Sequence, residues 1–149
     1  MYEPADDVVT SAGYLLMKAG VHIGADIEAG LRQLDLTGRD FLVLTFVGSE
    51  PLSQQELSSR LALDPTLVVG LVDGLEERGL VARNRDPADR RRYILTLTDD
   101  GRRRAADAKE AMMELEAASL AGLSPAERSE LSRMLLTVLR PRLPWLPTE

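Results

Sequence analysis

Apolar residues recur at three- and four-residue steps along most of this chain, a period that predicts a mainly helical protein. Val8, Ala12, Leu15, Leu16, Ala19, Ile23, Ile27 and Leu31 form the first stripe and predict one long helix from about Val8 to Leu34. Gly13, Gly20 and Gly24 edge that stripe beside Met17. A glycine inside a helix costs about 1 kcal/mol relative to alanine. Close packing by a partner helix or a ligand is one reading of the three, compositional drift the other. Thr37-Gly38-Arg39-Asp40 reads as the cap of a second helix carrying Phe41, Leu42, Leu44 and Val47, with Gly48 ending it and Pro51 blocking continuation. Ser53-Gln54-Gln55-Glu56 is a capping box before Leu57 and Leu61. Asp64 then caps a helix with Pro65 at its first position; Val68, Leu71, Val72 and Leu75 face inward and Gly79 stops it after Arg78.

Past Gly79 the pattern changes. Leu80–Arg85 and Arg92–Leu97 are short runs with β-branched, aromatic and alternating apolar positions, separated by Asp86-Pro87-Ala88-Asp89, which predicts a β-hairpin. Thr98 or Asp99 caps a further helix from about Gly101 to Leu120, with an alanine-rich middle. Ser124-Pro125-Ala126-Glu127 caps the last one, which carries Leu131, Leu135, Val138 and Leu139 on one face. Pro141, Pro144 and Pro147 predict an extended tail. Two short helices joined by the three-residue turn Ala62-Leu63-Asp64 have the spacing of a helix-turn-helix, and the hairpin after them completes a winged one. The expected fold class is therefore mainly α with a small β-hairpin wing (α+β). In this division about 37–100 is the winged helix-turn-helix, about 101–120 a connecting helix, and about 1–36 and 121–149 dimerisation helices of a single 1–149 domain. The terminal stripes need burial that one winged unit cannot supply, and a two-fold homodimer would supply it.

Composition narrows the chemistry. The chain of 149 residues is long enough for one sizeable core, and its apolar fraction is 44%. It has no cysteine and a single histidine, His22. Disulfides and thiol redox sensing are thereby excluded, and a His-rich metal site is disfavoured, so no cofactor or metal is expected. No phosphate-binding glycine loop or nucleophile elbow stands in the sequence, and an enzyme is not expected. No apolar run approaches a membrane span, and Glu3, Asp6 and Asp7 stand where a secretory leader would be basic, so the expected location is cytoplasmic, with no membrane partner.

Net charge is −6, which argues against a nucleic-acid partner until its distribution is read. Eight of the 18 basic residues fall between positions 83 and 104, whereas the first 50 residues hold three against eight acids. A local cationic patch steers a polyanion whatever the total.

Three motifs in fixed order then resemble the MarR family of transcriptional regulators: Leu75-Glu76-Glu77-Arg78-Gly79-Leu80-Val81-Ala82-Arg83, Asp86-Pro87-Ala88-Asp89-Arg90-Arg91, and Leu95-Thr96-Leu97-Thr98-Asp99-Asp100-Gly101. Gly13-Tyr14-Leu15-Leu16 and Leu52-Ser53-Gln54-Gln55-Glu56-Leu57 also look like the family, so the resemblance covers nearly the whole chain. It implies a dimeric winged helix-turn-helix that binds pseudo-palindromic double-stranded DNA, usually as a repressor and often released by a small phenolic or anionic effector. On that basis Pro65, Thr66, Leu67, Val69, Gly70 and Asp73 would face the major groove, with Ser53, Gln54 and Gln55 on phosphate at a helix N-terminus. The wing arginines, Arg85 among them, would lie along or inside the neighbouring minor groove, with Asp89 orienting Arg91 for insertion and Arg90 and Arg92 contacting phosphate. Tyr14, Lys18 and His22, four residues apart on the first helix, form a candidate ligand site, the alternative being a solvated polar face. One departure stands out. Val69, Gly70 and Gly74 occupy positions where relatives often carry Arg, Ser or Thr, and they cannot make bidentate base contacts. Thymine methyls, the wing and DNA shape remain as sources of specificity. The alternative is a winged-helix dimer acting through protein or ligand contacts, with weak or lost DNA binding.

Overall fold

A computed structural model describes residues 6–143 and 145–146. Its order is α1 (Asp6–Val9), α2 (Ala12–Gln33), α3 (Gly38–Ser49), α4 (Gln54–Leu61), α5 (Pro65–Glu77), β1 (Val81–Arg85), β2 (Tyr93–Leu97), α6 (Asp99–Ser119) and α7 (Pro125–Leu139). The strands pair antiparallel, with Val81 opposite Leu97 and Arg85 opposite Tyr93. The α+β winged architecture is as expected.

The core lies where α3, α4, α5 and the hairpin meet. Leu44, Leu57, Val68, Val72 and Leu75 are fully buried, joined by Val43, Leu52, Val81 and Leu95. Capping boxes open α3, α4 and α7 as read from the sequence, through Thr37 and Asp40, Ser53 and Glu56, and Ser124 and Glu127. Each satisfies backbone amides that a helix start would leave bare. Asp64 caps α5 over Pro65, and Ala62 takes the left-handed conformation (φ 51°) that turns α4 into α5. Gly79 (φ 69°) turns the chain out of α5, a conformation that costs glycine little.

Four expectations need correction. The first helix is two: Ser11 breaks it, its hydroxyl donating to the Val8 carbonyl (2.8 Å) and accepting from the Tyr14 amide, so that α2 starts afresh at Ala12. A serine hydroxyl competes in this way with the helical backbone ladder. Gly48 does not end α3, which runs to Ser49; instead a Cβ there would sit 3.0 Å from Leu97 Cδ1, so its smallness admits the hairpin. Helix α6 begins two residues earlier than expected, because Thr98 caps it by accepting from the Gly101 amide (2.9 Å). After α7 the chain turns rather than extends, the Arg142 and Leu143 amides both bonding back to the Leu139 carbonyl (2.9 Å each). Pro144 and Pro147 lie outside the described residues.

The start of α6 is pinned hard against the end of α5. Thr98 donates its hydroxyl to the Gly79 carbonyl (2.6 Å) and its amide to the Leu80 carbonyl (3.1 Å). Gly101 is buried directly against the Leu80 backbone. By contrast, the first half of α2 is largely exposed in the protomer. Of its apolar stripe only Leu31 is buried, while Leu15 and Leu16 are 51% and 43% exposed. Among the described residues, and apart from the local backbone of α2 itself, nothing lies within 4 Å of a Cβ built on Gly13, Gly20 or Gly24. Met134 and Val138 of α7 are similarly exposed and face Leu15, Leu16 and Ala19 across an apolar cleft of about 430 Å³.

Candidate nucleic-acid interface

The site is assembled from three elements. Helix α5 exposes Pro65, Thr66, Val69, Gly70 and Asp73, with Leu67 half-buried, which is the outward face expected. Its opposite face (Val68, Val72, Leu75) fixes it on the core. The N-terminus of α4 presents Ser53, Gln54 and Gln55, the first two half-buried. The hairpin tip, Asp86 to Arg92, is exposed at every residue but half-buried Asp86.

Two short carboxylates shape that tip. Asp86 accepts from the Ala88 amide (2.8 Å), and Asp89 accepts from the Arg91 amide (3.0 Å). Asp89, the residue that the resemblance implies orients Arg91, thus meets it at the backbone amide. Arg85 donates to the Arg90 carbonyl (2.7 Å) and lies over the Tyr93 ring, 4.5 Å from its centroid. Arg92 reaches Glu56 at 3.3 Å. Arg90 and Arg91 are exposed and, among the described residues, no carboxylate neutralises either. Among the wing's arginines they are the most available to an incoming anion. The carboxyl of Glu56 is held below its usual range, chiefly by the Ser53 hydroxyl and amide and then by Arg92, so it stays charged where α4 begins.

Arg83 is the residue that sequence reasoning missed. Placed on β1 and largely buried, it donates to Glu76 and Asp73 of α5 and, at 3.1 Å, to Gln54 Oε1 of α4. Burial works against its charge, but the two carboxylates outweigh this and push its pKa upward. Wing, α4 and α5 are thereby tied at one point. The signal was present as acids three apart on one helix face, Asp73 and Glu76, followed by an Arg beyond a glycine turn. The isolated bridge Leu52 to Leu95, whose amide donates at 2.7 Å, was equally unforeseen and fastens the hairpin to the segment before α4. The other basic residues of the cluster lie at the start of α6 and are engaged there: exposed Arg102 and Arg103 pair with Asp99 and Asp100, and half-buried Arg104 donates to the Leu34 carbonyl.

Tyr14, Lys18 and His22 follow one another along α2. The Lys18 ammonium sits over the Tyr14 ring, 5.5 Å from its centroid, and His22 is exposed. None of the three lines the cavity between α2 and α7 or the one between α2 and α6. A larger cleft of about 520 Å³ opens between α3, β2 and α6, floored by Phe41, Leu44 and Leu97 and rimmed by Arg102 and Lys109. Among the described residues no cluster of His, Asp or Glu could hold a metal ion, and no helix is long and apolar enough to cross a membrane.

A reading helix, a supporting helix and a cationic wing on one surface define a winged-helix DNA-binding transcriptional regulator. The MarR family profile matches residues 34–92. A putative transcriptional regulatory protein for the hcr operon of Thauera aromatica is 36% identical over 99 residues, which is 66% of this chain and 60% of that protein. The transcriptional repressor Rv2887 of Mycobacterium tuberculosis is 33% identical over 132 residues, covering 88% of this chain and 94% of that one; its structure has been solved with p-aminosalicylic acid (TM-score 0.69). The repressor CouR, solved on a 23-mer DNA duplex, superposes with TM-score 0.83 and 32% identity over 94% of this chain and all of that one. CouR of Rhodococcus jostii has also been solved with p-coumaroyl-CoA. The chain belongs to the MarR family.

Proposed function

We propose that the protein is a cytoplasmic repressor that binds a pseudo-palindromic operator as a homodimer and is released by a small aromatic or anionic ligand, with no catalytic step. The observation that carries it is the wing: Arg90 and Arg91 stand free of carboxylates on a tip already folded by Asp86 and Asp89. The repressor Rv2887 and the DNA-bound CouR support the reading. In this division residues 37–100 contact DNA, 101–120 connect, and 1–36 with 121–149 dimerise. Pro65, Thr66, Leu67, Val69 and Gly70 enter the major groove; Ser53, Gln54 and Gln55 meet phosphate; Arg85, Arg90, Arg91 and Arg92 follow the adjacent backbone and minor groove.

A charged hydrogen bond contributes about 1.5–3 kcal/mol, and a symmetric dimer makes it twice. Arg91→Ala is therefore expected to lower affinity for the chain's own upstream DNA about a hundredfold or more, while Arg142→Ala leaves it unchanged. The plot of log K against log salt should have a slope near −0.9 per phosphate contacted, and Arg90→Ala should flatten it by about one for each wing. A gel-shift titration that finds no duplex binding at low salt overturns the reading in favour of a dimer working through protein contacts.

For the effector, the α3/α6 cleft combines an apolar floor with the Lys109 ammonium at its rim, the donor pairing that an aromatic carboxylate needs. Aromatic acids should raise the melting temperature of the parent and not of Lys109→Ala. A shift retained in Lys109→Ala but lost in Lys18→Ala would move the site to Tyr14, Lys18 and His22.

A further inference from the structure

Along α5 and its caps, Asp64, Asp73, Glu76 and Arg78 are already engaged within the protein. The Asp64 carboxylate accepts from the Thr66 amide (2.8 Å). Asp73 and Glu76 are both held by Arg83. Arg78, at the far end, pairs with Asp40 at 3.2 Å. What the first two turns of α5 offer outward is Thr66, Leu67 and Val69, the last 43% exposed although fully apolar. Gly70 is exposed beside them, and a Cβ there would meet nothing within 4 Å, so the fold itself has no need of a glycine. Yet glycine costs a helix interior about 1 kcal/mol relative to alanine. An absent side chain lets a helix backbone lie closer to whatever docks on it.

We infer that this regulator reads its operator in the major groove by apolar contact with C5-methyl groups, through Thr66, Leu67 and Val69, rather than by hydrogen bonds from α5 to base edges. Of the four bases only thymine presents a methyl in that groove, so the contact is sequence-specific without any amide or guanidinium on the helix. Arg83 makes it workable. By pairing with both Asp73 and Glu76 it halves their net negative charge and so lessens the repulsion of phosphate on the same face. Gly70 allows α5 to sit deep enough for short side chains to reach the groove floor. The inference rests on the DNA-binding function proposed above.

The test takes the full-length protein and a pool of duplexes with a randomised core. A duplex selected from the pool is resynthesised with deoxyuridine in place of thymidine, one position at a time; uracil keeps every hydrogen-bonding group of thymine and lacks only the methyl. Burying one methyl corresponds to about fourfold in affinity, and the matched pair in two half-sites to about fifteenfold. At contacted positions the parent should show that loss. Thr66→Ser, which removes a methyl and keeps the hydroxyl, and Val69→Ala should each shrink the thymine-to-uracil ratio at the position they touch. Arg91→Ala should weaken binding to both duplexes alike, leaving the ratio intact. Equal binding of thymine and uracil duplexes by the parent overturns the inference alone, as does a ratio that neither Thr66→Ser nor Val69→Ala alters. Failure of the parent to select any duplex overturns the DNA-binding reading and this inference together.

Discussion

Leu15→Asp is expected to convert the protein from a dimer to a folded monomer and to abolish measurable operator binding at concentrations where the parent is saturated. Leu15 is half exposed in the protomer, so the substitution removes little intramolecular packing and helix α2 keeps its caps. In the proposed dimer it lies in the apolar seam formed with Leu16, Ala19, Met134 and Val138, and the aspartate would appear twice in that seam. Burying an unpaired carboxylate costs several kcal/mol, enough to dissociate a subunit contact of ordinary strength. A lone subunit then binds one half-site without the effective concentration that its tethered twin provides, a loss of about 10²–10⁴-fold. Sedimentation and gel shift on the same sample provide the check. A Leu15→Asp protein that remains dimeric would place the subunit contact elsewhere.

Gly101→Ala should be the most damaging single methyl in the chain. Its Cβ would fall inside the contact distance of the Leu80 carbonyl oxygen and 2.9 Å from the carbonyl carbon, and both are backbone atoms that no rotamer change can move. Relief requires α6 to part from the α5–β1 turn, breaking the Thr98 bonds to Gly79 and Leu80. A loss of about 3 kcal/mol or more is expected, a fall in Tm of roughly 10 °C for a chain of this size. Gly74→Ala is the matched control. Nothing lies within 4 Å of a Cβ there, so that change should be neutral or stabilising by up to about 1 kcal/mol. Melting curves for the two variants that coincide would refute the close approach at Gly101.

Much of this architecture was legible in short-range chemistry. Thr37 with Asp40, Ser53 with Glu56 and Asp64 with Pro65 each specify a helix start within four residues, and each helix begins there. Turn residues and alternating runs located both strands to within one residue. The errors came where one local signal competed with another. Ser11 sits near the start of an unbroken apolar stripe, between Val8 and Ala12, and the stripe does not reveal that its hydroxyl will bind the Val8 carbonyl. Gly48 resembles a helix stop but is a packing residue for Leu97, a contact between segments nearly fifty positions apart. The outward face of α5 followed from its inward one. The Arg83 tie did not, because it joins three elements whose relative placement only the folded core determines.

The arrangement at the hairpin tip has an energetic consequence. Asp86 and Asp89 bend the chain from Asp86 to Arg92 with their own carboxylates, and Arg85 braces it by stacking on Tyr93. A floppy loop of that length would lose about 1–2 kcal/mol of backbone entropy per residue on settling into a groove. Here most of that ordering is completed during folding, so in the proposed complex more of the attraction between guanidinium and phosphate would survive as net affinity. Asp89→Ala would leave every arginine in place and yet weaken the grip, because slack rather than charge would then oppose it.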